Sequence, residues 1–312
     1  MTVKIDVVKL KRMFGRTTAV DNMTFSFESG QIMGFVGPNG AGKTTTMRIM
    51  ATLDEPTAGD VMINGVSVIE EPEFARQHIG YVPDSLPVHR DITIYEYLDF
   101  FARTYGLRGE RRPQLIERIM EFTNLVGIQD KFLDTLSKGM KQRVCLARAL
   151  IHDPEILIMD EPAAGLDPRA RIELRELLRI LSTQGKAILI SSHILTELSE
   201  ICNGAIIIEQ GRLLTAGSLD QLLNEQKEDR RKVLIRARGR EADLCRRLLE
   251  MPHIETAVLA GDDVEALIEG GENACAAVLT TLVKDGFPIS EFRHHRTDLE
   301  TIFMNVTKGE VQ

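Results

Sequence analysis

Lys43 and Thr44 close a glycine-rich run, GPNGAGKT (Gly37–Thr44), that directly follows the apolar stretch QIMGFV. The spacing G-x-x-x-x-G-K-[ST] suits phosphate. Its glycines let the backbone curl until successive N–H groups converge on phosphate oxygens. A helix beginning near Gly42 adds its dipole to those amides. Lys43 is then placed to reach β- and γ-phosphates, and Thr44 offers a hydroxyl to Mg²⁺. The strand before the motif and the plausible helix TTTMRIMATL after it supply the context that this chemistry needs. A glycine-rich turn alone would not specify Lys-Thr at that position.

Two further strand ends carry polar residues. EILIMDEP is an apolar run ending in Asp160 and Glu161. Asp160 is placed to hold Mg²⁺ directly or through water, and Glu161, one residue on, to polarise an attacking water. KAILISS leads into His193, which would contact the γ-phosphate or position Glu161. Carboxyl ends of strands are where open α/β sheets bind ligands. A fourth stretch, TLSKGMKQR (Thr135–Arg143), begins a helix with Lys138, Lys141 and Arg143 and no acid. Helix starts ordinarily favour acids, so this one suits an anion that arrives on a ligand.

These segments need a scaffold to bring them together. The first 80 residues read as β-rich, and from about Glu96 to Leu150 the periodicity turns helical. Apolar strands return at EILIMD, KAILISS and GAIIIEQ, with the helix RARIELRELLRILSTQG between the first two. Alternating strands and helices indicate a parallel α/β sheet, into which a helical block of about residues 84–150 is inserted. After about Gly217 the character changes. A charged linker, NEQKEDRRK, precedes strand–helix–strand–strand–helix–strand and a last helix, DLETIFMNV. That order predicts a small ferredoxin-like module. The expected domains are therefore 1–217 and 218–312.

Bulk properties narrow the class. The chain has 312 residues, 43% hydrophobic and 27% charged, as in an ordinary globular protein. No apolar run approaches the roughly 18 residues of a membrane span, and MTVKIDVVKL lacks the regions of a signal peptide. A cytoplasmic protein is expected. Its four cysteines are scattered, which favours reduced core residues over a metal or disulfide framework. The net charge of −8 argues against broad nucleic-acid binding, and no nucleic-acid partner is expected.

Taken in this order, the motifs resemble the ATP-binding cassette (ABC) ATPase family. The match runs through Gly37–Thr45, Leu136–Arg143, Ile156–Pro162, Gly165–Asp167 and His193, and covers about residues 2–217. The resemblance implies a P-loop NTPase core with an N-terminal antiparallel β subdomain and an inserted helical subdomain. It implies ATP and Mg²⁺ as cofactors, with the phosphates held by Gly37, Pro38, Asn39, Gly40, Ala41, Gly42, Lys43, Thr44 and Thr45. By the same resemblance Phe14 stacks on adenine, and LSKGM, with Ser137, Lys138, Gly139 and Met140, is the signature motif. Asp167 belongs to the loop coupling two sites across a head-to-tail dimer, in which each signature helix faces the ATP of the other subunit.

The sequence departs from the family's usual pattern in two places. Lys138 and Met140 stand where glycine and glutamine are commonest. That form resembles a branch working with separate membrane permeases, often as exporters of drugs, polysaccharides or lipids. In YVPDSLPVHRDIT, Asp84 occupies the place where many relatives carry a glutamine near Mg²⁺ and the water. It is either a metal or water ligand, or a hinge residue between core and insert. The C-terminal module resembles an extension found in that branch, which implies regulation or dimer stabilisation.

The resemblance implies the ATP-binding and ATP-hydrolysing subunit of a transporter, paired with a second ATPase subunit as a homodimer on the cytoplasmic face of the cell membrane and bound to a separate integral permease. The alternative is a soluble ABC-type ATPase acting on ribosomes or DNA. Such relatives usually carry two cassettes in one chain, a long coiled coil or zinc-binding cysteines, none of which is read here.

Overall fold

The computed structural model describes residues 2–86, 90–192, 198–219, 221–222 and 230–294. They divide into two compact units, one reaching residue 219 and the other running from 221 to 294.

The first unit is built on two sheets. Strands β1 (Lys4–Phe14), β2 (Thr17–Glu28), β4 (Ala58–Ile63) and β5 (Val66–Ser67) form an antiparallel sheet in the order β2-β1-β4-β5. Alternation in β1 and β2 puts Ile5, Val7, Val20, Met23, Phe25 and Phe27 in the core and leaves polar neighbours outside.

The second sheet has six strands. These are β3 (Ile32–Val36), β6 (Ile79–Val82), β7 (Ile156–Met159), β8 (Ala187–Ser192), β9 (Gly204–Glu209) and β10 (Arg212–Ser218), in the order β10-β9-β3-β8-β7-β6. All the pairings are parallel except that of β10 with β9. Every residue of β3, β7, β8 and β9 is buried, which explains why their sequences are continuous apolar runs. Phe35 of β3 packs 5.6 Å from Phe25 of β2, so one core joins the two sheets.

Helix α1 (Lys43–Met50) follows β3, and α2 (Pro72–His78) precedes β6. The latter departs from the β-rich reading of the first 80 residues: Pro72 opens the helix at a position where a missing N–H costs nothing. The insert contains α3 (Ile94–Thr104), α4 (Arg111–Phe122) and α5 (Lys138–Leu150). Thr93 starts α3 with a reciprocal cap: Glu96 N–H donates to Thr93 Oγ1 at 3.2 Å, and Thr93 N–H donates to Glu96 Oε2 at 2.9 Å. Helix α6 (Pro168–Thr183) lies between β7 and β8 in sequence.

In the second unit, β11 (Arg230–Ala237), α7 (Glu241–Leu249), β12 (Ile254–Ala260), β13 (Asp263–Glu269), α8 (Gly271–Lys284) and β14 (Ile289–His294) follow the expected order. The sheet runs β12-β13-β11-β14 and is antiparallel throughout, as a split β-α-β requires. Val233, Ile235, Leu244, Leu248, Val264, Ile268, Val278 and Leu282 form its own core. The linker residues 224–229 and the helix expected at DLETIFMNV lie outside the described residues.

Candidate nucleotide site

Parallel register aligns the strand ends that carry the chemistry. Val36 of β3 sits beside Ser192 of β8, and Met159 of β7 beside Ile190. The residues that follow β7 therefore meet Ser191 at the carboxyl end of β8, one strand away from the end of β3.

The loop after β3 is tightly enclosed. A Cβ on Gly37 would lie 2.5 Å from the Ile208 carbonyl oxygen, and one on Gly42 2.4 Å from that of Ala19. Gly42 also has φ of 97°, open to glycine at little cost. Ala41 N–H donates to the Pro38 carbonyl at 3.1 Å, and Gly211 N–H to the Ala41 carbonyl at 3.1 Å. Strand β2 and the β9–β10 turn thus brace the loop from outside, while Asn39, Gly40 and Thr44 stay exposed and Thr45 half-buried.

Lys43 is buried, and its Nζ donates to the Gly37 carbonyl at 2.7 Å. The same ammonium lies 4.0 Å from Glu161 Oε1. Burial pulls its pKa below the usual lysine value, and the carboxylates of Glu161 and Asp160 oppose that shift. The cation stands ready beside a loop of amides, held by weak neutral acceptors that phosphate oxygens can replace.

Asp160 is also buried, and its Oδ1 accepts the Ser191 hydroxyl at 2.7 Å. Ser191 Oγ in turn accepts the Glu161 N–H at 2.8 Å. Glu161 takes φ of 48°, unusual for a side-chain-bearing residue, and this serine contact together with Ala164 N–H on its carbonyl at 3.1 Å fixes the turn. Tyr81, half-buried in β6, has its phenol pushed up to about 12 by burial, with the Asp160 charge adding to the effect.

Asp84 is exposed just beyond β6, and β6 abuts the Asp160 segment through Asp160 N–H on the Val82 carbonyl at 2.9 Å. Among the described residues no three His, Cys, Asp or Glu side chains cluster as a metal cage. The donors at hand are hard oxygens, the exposed Thr44 hydroxyl and the Asp160 carboxylate. That set fits Mg²⁺, which commonly takes one or two protein oxygens and completes its shell with phosphates and water.

The segment around Ser137 has a different arrangement. Ser137 caps α5, its Oγ accepting Met140 N–H at 3.3 Å, and both Ser137 and Lys138 are exposed. A Cβ on Gly139 would press on Ala170 at 3.3 Å, so the start of α5 lies close against α6. Lys138 runs along Gly165, its Nζ 2.9 Å from the point where a Cβ on that glycine would stand. Asp167 caps α6 by accepting Ala170 N–H at 2.9 Å. Arg143 on α5 pairs with Glu173 on α6 and locks the two helices.

Lys43, Asp160 and Glu161 are thus brought together around Ser191. Ser137, Lys138, Gly139 and Asp167 form a separate surface from α5 and the start of α6. Phe14 ends β1 with 47% of its surface exposed, and the hairpin that carries it returns through Ala19 against Gly42. His193 lies outside the described residues. Sequence reasoning missed Ser191, Gly211 and Ala19. The only trace of Ser191 was a polar residue closing an otherwise apolar strand.

Comparison with known proteins adds the following. The family model described as "ABC transporter" matches residues 20–164. A Nod factor export ATP-binding protein I from Burkholderia orbicola is 33% identical over 99% of this chain and 98% of its own length. A protein of the same name from Rhizobium sp. (strain N33) is 38% identical over 72% of this chain and 73% of its own length. Among solved structures, an ATP-binding subunit of an ABC transporter is 31% identical with a TM-score of 0.65, covering 71% of this chain and 92% of that one. A dimeric ATP-binding cassette in a post-hydrolysis state with ADP and Pi, 23% identical with a TM-score of 0.63, shares the fold over 69% of this chain and 98% of its own.

Proposed function

This chain belongs to the ABC transporter ATPase family, and on that premise we propose that it powers export through a separate membrane permease, working as a homodimer. The observation that carries the export reading is the length of the similarity. The Burkholderia orbicola relative, named for Nod factor export, matches through both units rather than the ATPase unit alone.

The chemistry follows from the site. ATP enters with its phosphates against the amides of residues 37–45, and Lys43 exchanges the Gly37 carbonyl for β- and γ-phosphate oxygens. Thr44 and Asp160 would hold Mg²⁺, which when bound would supply charge neutralisation to the phosphates. Glu161 orients and polarises the attacking water. Its backbone is already pinned by Ser191, so the carboxylate needs little reorganisation. Ser137 and the amide of Gly139 bind the γ-phosphate held by the other subunit, with the positive end of α5 aimed at it.

A groove of about 1180 Å³ offers the place for a permease segment. Arg48, Arg76, Tyr81, Phe101, Tyr105 and Arg148 line it, and it spans the core and the helical insert. Arg148 of α5 donates to the Tyr81 carbonyl at 2.8 Å, so a segment seated here senses any shift of α5 relative to β6. No helix among the described residues is long and apolar enough to cross a membrane, so the span would come from the partner. Attachment to the cytoplasmic face of the membrane follows from that partnership.

Affinity-tagged chain, expressed at native level and purified from detergent-solubilised membranes, tests the reading. The expected product is a complex with a polytopic membrane protein and two copies of this chain. Recovery with ribosomes or DNA, and none with membranes, would overturn it.

A further inference from the structure

The tip of the β1–β2 hairpin holds a contact that phosphate chemistry does not use. The Arg12 guanidinium lies over the Phe14 ring, its central carbon 4.5 Å from the ring centroid. Arg12 is not a free surface cation. Its side chain is 23% exposed, its Nη2 donates to Asp54 Oδ1 at 2.7 Å, and its Nε is buried without a hydrogen-bond partner. The neighbouring Met13 N–H donates to Thr57 Oγ1 at 3.0 Å, which ties the same strand down.

We propose that Arg12, anchored by Asp54, is a positioning residue for the nucleotide base: it occupies one face of Phe14 and presents the other for stacking. This rests on the reading that Phe14 stacks on adenine. The register supports the placement. Phe14 pairs with Thr17, and two residues further Ala19 touches the Gly42 position of the phosphate loop. A phenyl ring on a hairpin tip otherwise loses rotamer freedom when a base lands on it, and a prior cation–π contact removes part of that cost. The cation also draws electron density from the ring, which eases stacking against the π cloud of a purine.

The test compares ligands with and without a base. Titration calorimetry on the full chain would measure ADP and inorganic tripolyphosphate against Arg12→Gln, Asp54→Asn, Phe14→Ala and the Arg12→Gln/Phe14→Ala double variant. Arg12→Gln should raise the Kd for ADP about two- to fivefold, the size of a partly exposed cation–π contact, and leave tripolyphosphate unchanged. Asp54→Asn, which keeps the side-chain volume, should move ADP in the same direction by less. The double variant should bind ADP no more weakly than Phe14→Ala alone.

Equal losses for ADP and tripolyphosphate would make Arg12 a general support of the fold and overturn the proposal. Losses that multiply in the double variant would overturn it too, as would unchanged ADP binding in both Arg12→Gln and Asp54→Asn. If Phe14→Ala itself binds ADP normally, the adenine-stacking reading fails and takes this inference with it. Weakened ADP binding in Phe14→Ala with none in Arg12→Gln defeats the inference alone.

Discussion

Glu161 combines an unusual backbone with the proposed role of polarising water. Its φ of 48° and its N–H bond to Ser191 fix where the carboxylate starts, 4.0 Å from Lys43. Replacing it with glutamine keeps size and hydrogen bonding but removes the charge that polarises water. Glu161→Gln should therefore lower ATP turnover by on the order of a hundredfold or more, within the range that general-base catalysis contributes. ATP binding should persist, because Lys43 and the loop amides are untouched, and an ATP-held dimer should accumulate on gel filtration. Near-normal hydrolysis would remove Glu161 from the base role. The motif residues here were legible because phosphate chemistry demands particular types at fixed spacing. Ser191 was not, because it meets Asp160 only through the β7–β8 register, 31 residues along the chain.

At the level of elements, legibility tracked burial. Strands β3, β7, β8 and β9 announced themselves as apolar runs, and α3 by helical periodicity from about Glu96, whereas its cap at Thr93 emerged only in the structure. Helix α2 and the short strand β6 carried too few residues for either period to register, and tertiary pairing decided them. The start of α5 was legible as a helix without acids, but what its lysine touches was not. Lys138 lies along Gly165, on the short segment that leads to Asp167, and does not simply project into solvent. That placement holds its ammonium beside the surface formed by Ser137 and Asp167. Lys138→Gly should then raise the KM for ATP about two- to fivefold, the worth of one partly solvated charge-assisted contact. An unchanged KM and rate would assign the side chain to packing on Gly165.

For the molecule as a whole, the proposed pairing would divide one reaction between the two surfaces. Lys43, Asp160, Glu161 and Ser191 are joined by contacts within the chain, whereas Ser137 spends its hydroxyl on its own helix until a phosphate arrives. In the head-to-tail pair that the family resemblance implies, each α5 start would lie against the other chain's phosphate loop, so one chain with a ruined phosphate loop and one with a ruined α5 start would still assemble a single intact site. Lys43→Ala removes the phosphate cation, and Ser137→Arg puts bulk and charge at the α5 start. Each variant alone should be inactive as a homodimer, since both of its sites are damaged. Mixed, they should form heterodimers with one intact site, and random pairing makes half of all dimers mixed. Activity should therefore return to about a quarter of wild type, or less if the sites act cooperatively. The measurement is ATPase rate against mixing ratio, with heterodimer content fixed by two different affinity tags. Heterodimers that form and remain inactive would show that each chain completes its own site, and the pair would cease to be the unit of catalysis.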